Sequence, residues 1–163
     1  MRNPWPHQRN AIDQLRNGNV LVGSTGSGKG FVALGYFYEK VLGGSIDPPA
    51  LPSVVMNLYV ITTPRKRDSL DWVREASSFG ISQDPDGSVG GVQMVVDSWN
   101  NIRKYTSIRN SFFIFDEQRV VGKGVWVKSF LTITKQNKWI LLTATPADTW
   151  MDLIAVFIAN RFY

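Results

Sequence analysis

An α/β fold with a mostly parallel central sheet is predicted by three features of the sequence. Short runs of continuous apolar, often β-branched residues alternate with stretches of helical spacing, the pattern of strands covered by helices on both faces. A length of 163 residues, 44% of them hydrophobic, suits one domain around one core. The residues able to do chemistry fall just after the apolar runs, and in parallel sheets ligands bind at the carboxyl ends of the strands.

The elements follow in order. Val20-Leu21-Val22 reads as a buried strand running into glycines. Phe31 to Leu42 has helical spacing and stops at Gly43-Gly44, a suitable C-cap. Ser45 to Ser53, with three prolines, is a surface loop. Val54 to Ile61 is a second strand. Asp68 to Phe79 is a helix with Leu70, Trp72, Val73 and Ala76 as its apolar positions, ending at Gly80. Gln83 to Gly91 is rich in turn residues. Val92 to Val96 and Phe112 to Phe115 are further buried strands, Val125 to Thr134 a helix, Trp139 to Leu142 a strand and Trp150 to Ala159 a last helix. The chemistry is therefore expected just after Val22, Ile61, Val96, Phe115 and Leu142.

Composition narrows the function classes. The sequence has no cysteine, which removes disulfides and thiolate metal sites. His7 is the single histidine, so a histidine metal cluster is excluded and a Ser-His-Asp triad is disfavoured. Met1 to Asn10 lacks the apolar core of a leader segment, and no run approaches the ~18 apolar residues of a membrane span. A soluble, cytoplasmic protein is expected. The net charge is +5, and twelve of the basic residues lie between Arg65 and Lys138, including Arg65-Lys66-Arg67 and Arg103-Lys104. That distribution suits a polyanionic partner or a solvated face equally well.

Gly23-Ser24-Thr25-Gly26-Ser27-Gly28-Lys29 follows the first strand and opens a helix. A glycine-rich turn lets backbone N–H groups converge on phosphate oxygens, the helix N-terminus adds its dipole, and Lys29 brings a point charge to the β and γ phosphates. A plain strand-to-helix turn is the bland alternative. The next position usually holds Ser or Thr, whose hydroxyl ligates Mg²⁺. Here it is Gly30, which has no side-chain oxygen and weakens the first helical turn by about 1 kcal/mol relative to alanine. Phosphate binding can rest on backbone and Lys29, while the metal lacks its usual hydroxyl; Ser27 and Thr25 are the other hydroxyls of the loop. Phe112 to Phe115 ends in Asp116-Glu117. There Asp116 can hold Mg²⁺ through water, and Glu117 can orient and deprotonate the attacking water.

The ordered set of segments resembles superfamily 2 helicases. Asp116-Glu117-Gln118-Arg119 is similar to their Asp-Glu-x-x box, and Thr143-Ala144-Thr145-Pro146 to the motif that couples the nucleotide and nucleic-acid sites. Trp5-Pro6-His7-Gln8 resembles the segment before the phosphate loop whose glutamine reads adenine, although His7 replaces the more usual tyrosine. Thr62-Thr63-Pro64-Arg65, with Trp72 downstream, and Val96-Asp97-Ser98-Trp99 resemble the segments that touch the nucleic-acid backbone. Trp72 and the Ser98 region lean toward the Swi/Snf-like branch, as found in phage-encoded helicases.

The resemblance spans residues 5 to 146 and implies a RecA-like P-loop domain occupying 1–163. Its nucleotide site would be Gln8, Gly23, Ser24, Thr25, Gly26, Ser27, Gly28, Lys29 and Gly30. Asp116 and Glu117 would do the chemistry, and Thr143, Ala144 and Thr145 the coupling. Thr63, Pro64, Arg65, Lys66, Arg67, Ser98 and Trp99 would meet DNA, with Trp99 and Trp5 the best candidates for base stacking. ATP and Mg²⁺ are the implied cofactors. DNA and a second RecA-like domain, in the same polypeptide or a separate one, are the implied partners. Two other readings stay open. One is a different P-loop enzyme, such as a nucleotide kinase or a DNA-packaging ATPase. The other is a degenerate domain that binds nucleotide or DNA without efficient hydrolysis, to which Gly30 lends support.

Overall fold

The computed structural model describes residues 1–23, 28–116 and 124–143, with backbone alone at 124 and 125. Among these, five strands form one sheet in which all pairings are parallel: β1 (Val20–Val22), β2 (Leu58–Thr62), β3 (Met94–Ser98), β4 (Phe112–Asp116) and β5 (Lys138–Thr143). Their spatial order is β1-β5-β4-β2-β3. Helices α1 (Pro6–Gln14), α2 (Lys29–Tyr36), α3 (Pro64–Asp68), α4 (Asp71–Ser77) and α5 (Gly124–Gln136) complete the described chain, with a π-helical turn at Phe37–Val41 and a 3₁₀ segment at Trp99–Tyr105.

Each central strand has a continuous apolar middle because it is covered on both sides, with polar residues only at its ends. Successive side chains point to opposite faces. Leu58, Val60, Phe112, Ile114, Ile140 and Leu142 join one buried cluster with residues of α1, α2 and α4. Their neighbours Ile61, Phe113, Phe115, Trp139 and Leu141 join a second cluster with Trp99, Ile102, Phe130 and Ile133. The sheet thus separates two cores, and continuous apolar strands with helices on both faces are what the sequence predicts.

Several element boundaries differ from expectation, each for a local reason. The second strand begins at Leu58 rather than Val54; Val54 and Val55 are exposed and pair with no strand. The third is shifted to Met94–Ser98 by its register with β2, which pairs Leu58 with Met94 and Thr62 with Ser98. The helix expected from Asp68 to Phe79 is two helices. Pro64 at the first helical position starts α3, and Leu70, with φ of 63°, breaks the chain before α4. The helix expected from Phe31 begins at Lys29, widens to π geometry after Tyr36 and ends at left-handed Gly43, as the glycine pair indicated. Helix α1 has only Gln8 and Ile12 buried, so it shows no apolar stripe to read. The expected helix Trp150 to Ala159 lies outside the described residues. Among the described residues, no helix is long and apolar enough to cross a membrane.

Candidate nucleotide site

Because every strand runs the same way, Val22, Thr62, Ser98, Asp116 and Thr143 end on one edge of the sheet. A cavity of about 490 Å³ opens there, lined by Gly28, Lys29, Gly30, Lys66, Trp72, Glu75 and Asp116 among others. The expected phosphate-loop glycine and lysine, the expected metal carboxylate and part of the expected DNA segment therefore share one space.

Gly28 adopts φ of 81° at the N-cap of α2, and its carbonyl accepts the Val32 N–H at 3.0 Å. A side chain would be strained at that φ, and its Cβ would collide with Nε2 of Gln8. Gln8 is fully buried. Its Oε1 accepts from the main-chain N–H of Trp5, the N-cap residue of α1, at 3.0 Å, and from Arg2 at 3.0 Å. Its Nε2 has no hydrogen-bond partner among the described residues. Gln8 thus braces the expected phosphate loop from behind with both N–H donors of its amide left over. Gly23, at the other end of that loop, donates its N–H to the Thr143 carbonyl at 3.1 Å, so the start of the expected coupling motif is strapped to the start of the phosphate loop.

Asp116 is the most heavily restrained group of the site. It is 2% exposed, and Oδ2 accepts hydrogen bonds from Thr62 Oγ1 (3.0 Å), Trp72 Nε1 (3.2 Å) and Lys66 Nζ (3.3 Å). Thr62 is in reach because β2 pairs with β4, with Ile61 opposite Phe115 one residue earlier. On the other face of the strand, Trp99 Nε1 donates to the Asp116 main-chain carbonyl at 2.7 Å. The two indoles hold one residue from opposite sides.

This arrangement corrects two expectations. Trp99 is 1% exposed and packs against Phe115 with 5.6 Å between ring centroids, so no base can stack on it; it is a core residue that fixes Asp116. The basic run does not form a single outward track. Arg65 is exposed, whereas Lys66 turns into the cavity and Arg67 pairs with Asp68 (2.9 Å) and Asp97 (3.2 Å). Asp97 is a local hub. Burial pushes its carboxyl up, but hydrogen bonds from Asn101, Tyr105, the Ser98 N–H and Arg67 outweigh that and hold it below the usual carboxylate range. Ser98 is buried beside it. Thr63 caps α3 by accepting the Lys66 N–H at 3.3 Å, and Pro64 is the first residue of that helix. Trp5 remains 53% exposed, with the Arg2 guanidinium 4.6 Å above its ring. Ser24, Thr25, Gly26, Ser27, Glu117, Ala144 and Thr145 lie outside the described residues.

Three contributors were missed at the sequence level: Thr62 as a hydrogen-bond donor to Asp116, Lys66 as its counter-ion, and Glu75 as a wall of the cavity. Glu75 follows Trp72 by three residues, a spacing that places both on one helix face and could have flagged it.

The fold is that of RecA-like helicase domains. The Sulfolobus solfataricus SWI2/SNF2 ATPase core in complex with dsDNA matches with a TM-score of 0.70 over 97% of this chain, at 16% identity. The Pyrococcus furiosus Hef helicase domain matches with a TM-score of 0.62 over 96% of this chain, at 19% identity. In each case the chain spans 36% of the matched protein. No family model matches the sequence, and no curated protein matches it.

Proposed function

We propose that the chain is the ATP-binding half of a superfamily 2 DNA helicase or translocase of the Swi/Snf-like branch. The observation that carries this reading is the meeting of Gly28, Lys29 and Asp116 in one cavity at the carboxyl edge of a parallel sheet. The order of the motifs along the chain and the likeness of the fold to two helicase-type domains support it. DNA as the partner is supported by the resemblance of the run from Thr63 to Arg67 to a backbone-contacting segment, in which Arg65 is exposed.

The residues fit a magnesium–nucleotide group. The cavity presents a positive-φ glycine, a lysine at a helix start, and hard carboxylate oxygens. Lys29 would meet the phosphates, and Asp116 would hold the metal, which when bound neutralises charge on the phosphate oxygens. The Thr62 and Trp72 hydrogen bonds fix the Asp116 carboxylate before any ligand arrives, so no reorganisation is needed at that moment. Glu117, the next residue, is the proposed general base. The 163 residues supply one wall of the cleft; a second RecA-like domain would close it and bring an arginine.

The reading is tested by calorimetry with ATP and Mg²⁺. Lys29→Ala removes the cation nearest the phosphates and should abolish binding, while circular dichroism stays unchanged; unaltered affinity in that variant would falsify the nucleotide site. A second reading, nucleotide or DNA binding without efficient hydrolysis, is favoured by Gly30. Glu117→Gln separates the two. On the first reading it binds and loses turnover in the completed motor; on the second, parent and variant are equally inactive.

A further inference from the structure

The residue after the phosphate-loop lysine is Gly30, where a hydroxyl is expected. Its backbone does not require glycine. A Cβ built there meets Glu75 Oε1 at 3.7 Å, Glu75 Cγ at 3.8 Å and Trp72 Cη2 at 3.8 Å, all ordinary van der Waals separations. Glycine is therefore not there to avoid a clash, and the space it leaves borders a carboxylate. Glu75 comes from α4, whose Trp72 donates to Asp116, so the helix that presents Glu75 is itself anchored at the expected metal carboxylate. Both acids and Gly30 line the same cavity. The Glu75 carboxylate makes no hydrogen bond or ion pair with any described residue, its main-chain carbonyl alone accepting from Ser78, unlike the neighbouring acid Asp71, which pairs with Arg74 at 2.6 Å.

From this we infer that Glu75 replaces the missing hydroxyl and holds the magnesium ion of the bound nucleotide, directly or through water, opposite Asp116. The inference rests on the nucleotide-site reading. Mg²⁺ takes oxygen ligands and commonly uses one or two carboxylates with phosphate oxygens and water. A glutamate reaches farther than a threonine, so it can act from a neighbouring helix. The exchange has an electrostatic signature. A hydroxyl is neutral, whereas Glu75 adds a negative charge beside the phosphates. The metal is then held more strongly, and the metal-free nucleotide is repelled. Nucleotide binding in this protein should depend on Mg²⁺ more steeply than in a P-loop protein that uses threonine.

The test is calorimetry of ADP and of a non-hydrolysable ATP analogue across a series of Mg²⁺ concentrations, for the parent, Glu75→Gln, Gly30→Thr and the double variant. Mn²⁺ binding in the presence of ADP, followed by the loss of free-ion paramagnetic resonance, reports the metal directly. Glu75→Gln should cut metal affinity in the ternary complex by roughly tenfold or more, and raise affinity for the metal-free nucleotide. These opposite signs would not arise from a merely structural role. Gly30→Thr should rescue metal binding in the Glu75→Gln background and do little in the parent. A Glu75→Gln variant that binds nucleotide with the parent's metal dependence overturns this assignment and leaves the nucleotide site standing. A parent that binds no nucleotide with or without Mg²⁺ overturns both.

Discussion

Gly28 shows how much a single residue carries here. Its φ of 81° is a conformation that costs a residue with a Cβ about 1–2 kcal/mol. Its missing side chain is also what lets Gln8 lie against the loop. Gly28→Ala should therefore lower both thermal stability and nucleotide affinity. Gln8 can retreat only by giving up the Trp5 N–H that caps α1, so the damage should spread to the N-terminal helix. Adding Gln8→Ala should relieve the collision and leave the φ penalty, recovering part of the loss. Melting temperature and calorimetric affinity check both steps; full recovery in the double variant would show that backbone strain contributes nothing. Lys29 and Asp116 were legible in the sequence because fixed spacing and strand-end position reveal them. Thr62, Lys66 and Glu75 were not, because their roles depend on β2 lying beside β4 and on a kink at Leu70, and neither is written in local spacing.

Elements are tied to one another by a few polar contacts that the apolar pattern does not disclose. The π-helical turn after α2 presents Glu39, which accepts two hydrogen bonds from Arg9 of α1 (2.6 and 3.0 Å) and one from the Ile46 N–H (2.8 Å). Burial pushes the Glu39 carboxyl up, yet the Arg9 and Ile46 hydrogen bonds outweigh it and hold the group below its ordinary 4.5. The folded state thus binds this proton less readily than the unfolded chain. The stabilisation is fully present above about pH 4.5 and is lost as pH falls through the lower folded value. Glu39→Gln should cost about 1–2 kcal/mol at neutral pH, since Arg9 loses its charged acceptor. It should also flatten the fall in melting temperature on acidification. Melting curves for parent and variant between about pH 3 and about pH 7 decide it; parallel curves would remove Glu39 from the acid response. The α3–α4 break belongs to this scale as well. A 3.6-residue periodicity running from Asp68 to Phe79 read as one helix, because a left-handed leucine leaves no composition signal.

At the scale of the whole molecule, the proposed function makes the described chain one side of a phosphoryl-transfer site. Such transfer is catalysed mainly by positioning and by charge that meets the transition state. A missing arginine from across the cleft is worth roughly 10³ to 10⁵ in rate in other P-loop systems. Turnover by residues 1–163 alone should therefore stay near background, rise when a second RecA-like domain is supplied in cis or in trans, and rise again with DNA. Turnover measured across a range of protein concentrations tests this. Fast, DNA-stimulated hydrolysis by a proven monomer would sink the half-site reading, and a steep climb with concentration would mean that two copies build the cleft together. The fold class was readable from the alternation of apolar runs and helical stretches. The strand order was not, because parallel strands of similar composition carry no label for their neighbours.

Trp72 and Trp99 have one more consequence. An indole responds in its ultraviolet emission to charge placed near the ring. Trp72 lies in the cavity wall with its N–H on the Asp116 carboxylate, while Trp99 is sealed in the core behind the same residue. Nucleotide and metal arriving at Asp116 would change the field around the first ring far more than around the second. On the proposed reading Trp72 is therefore a built-in optical gauge of occupancy, its signal told from that of the other five tryptophans by comparison with Trp72→Phe, and no attached dye is needed.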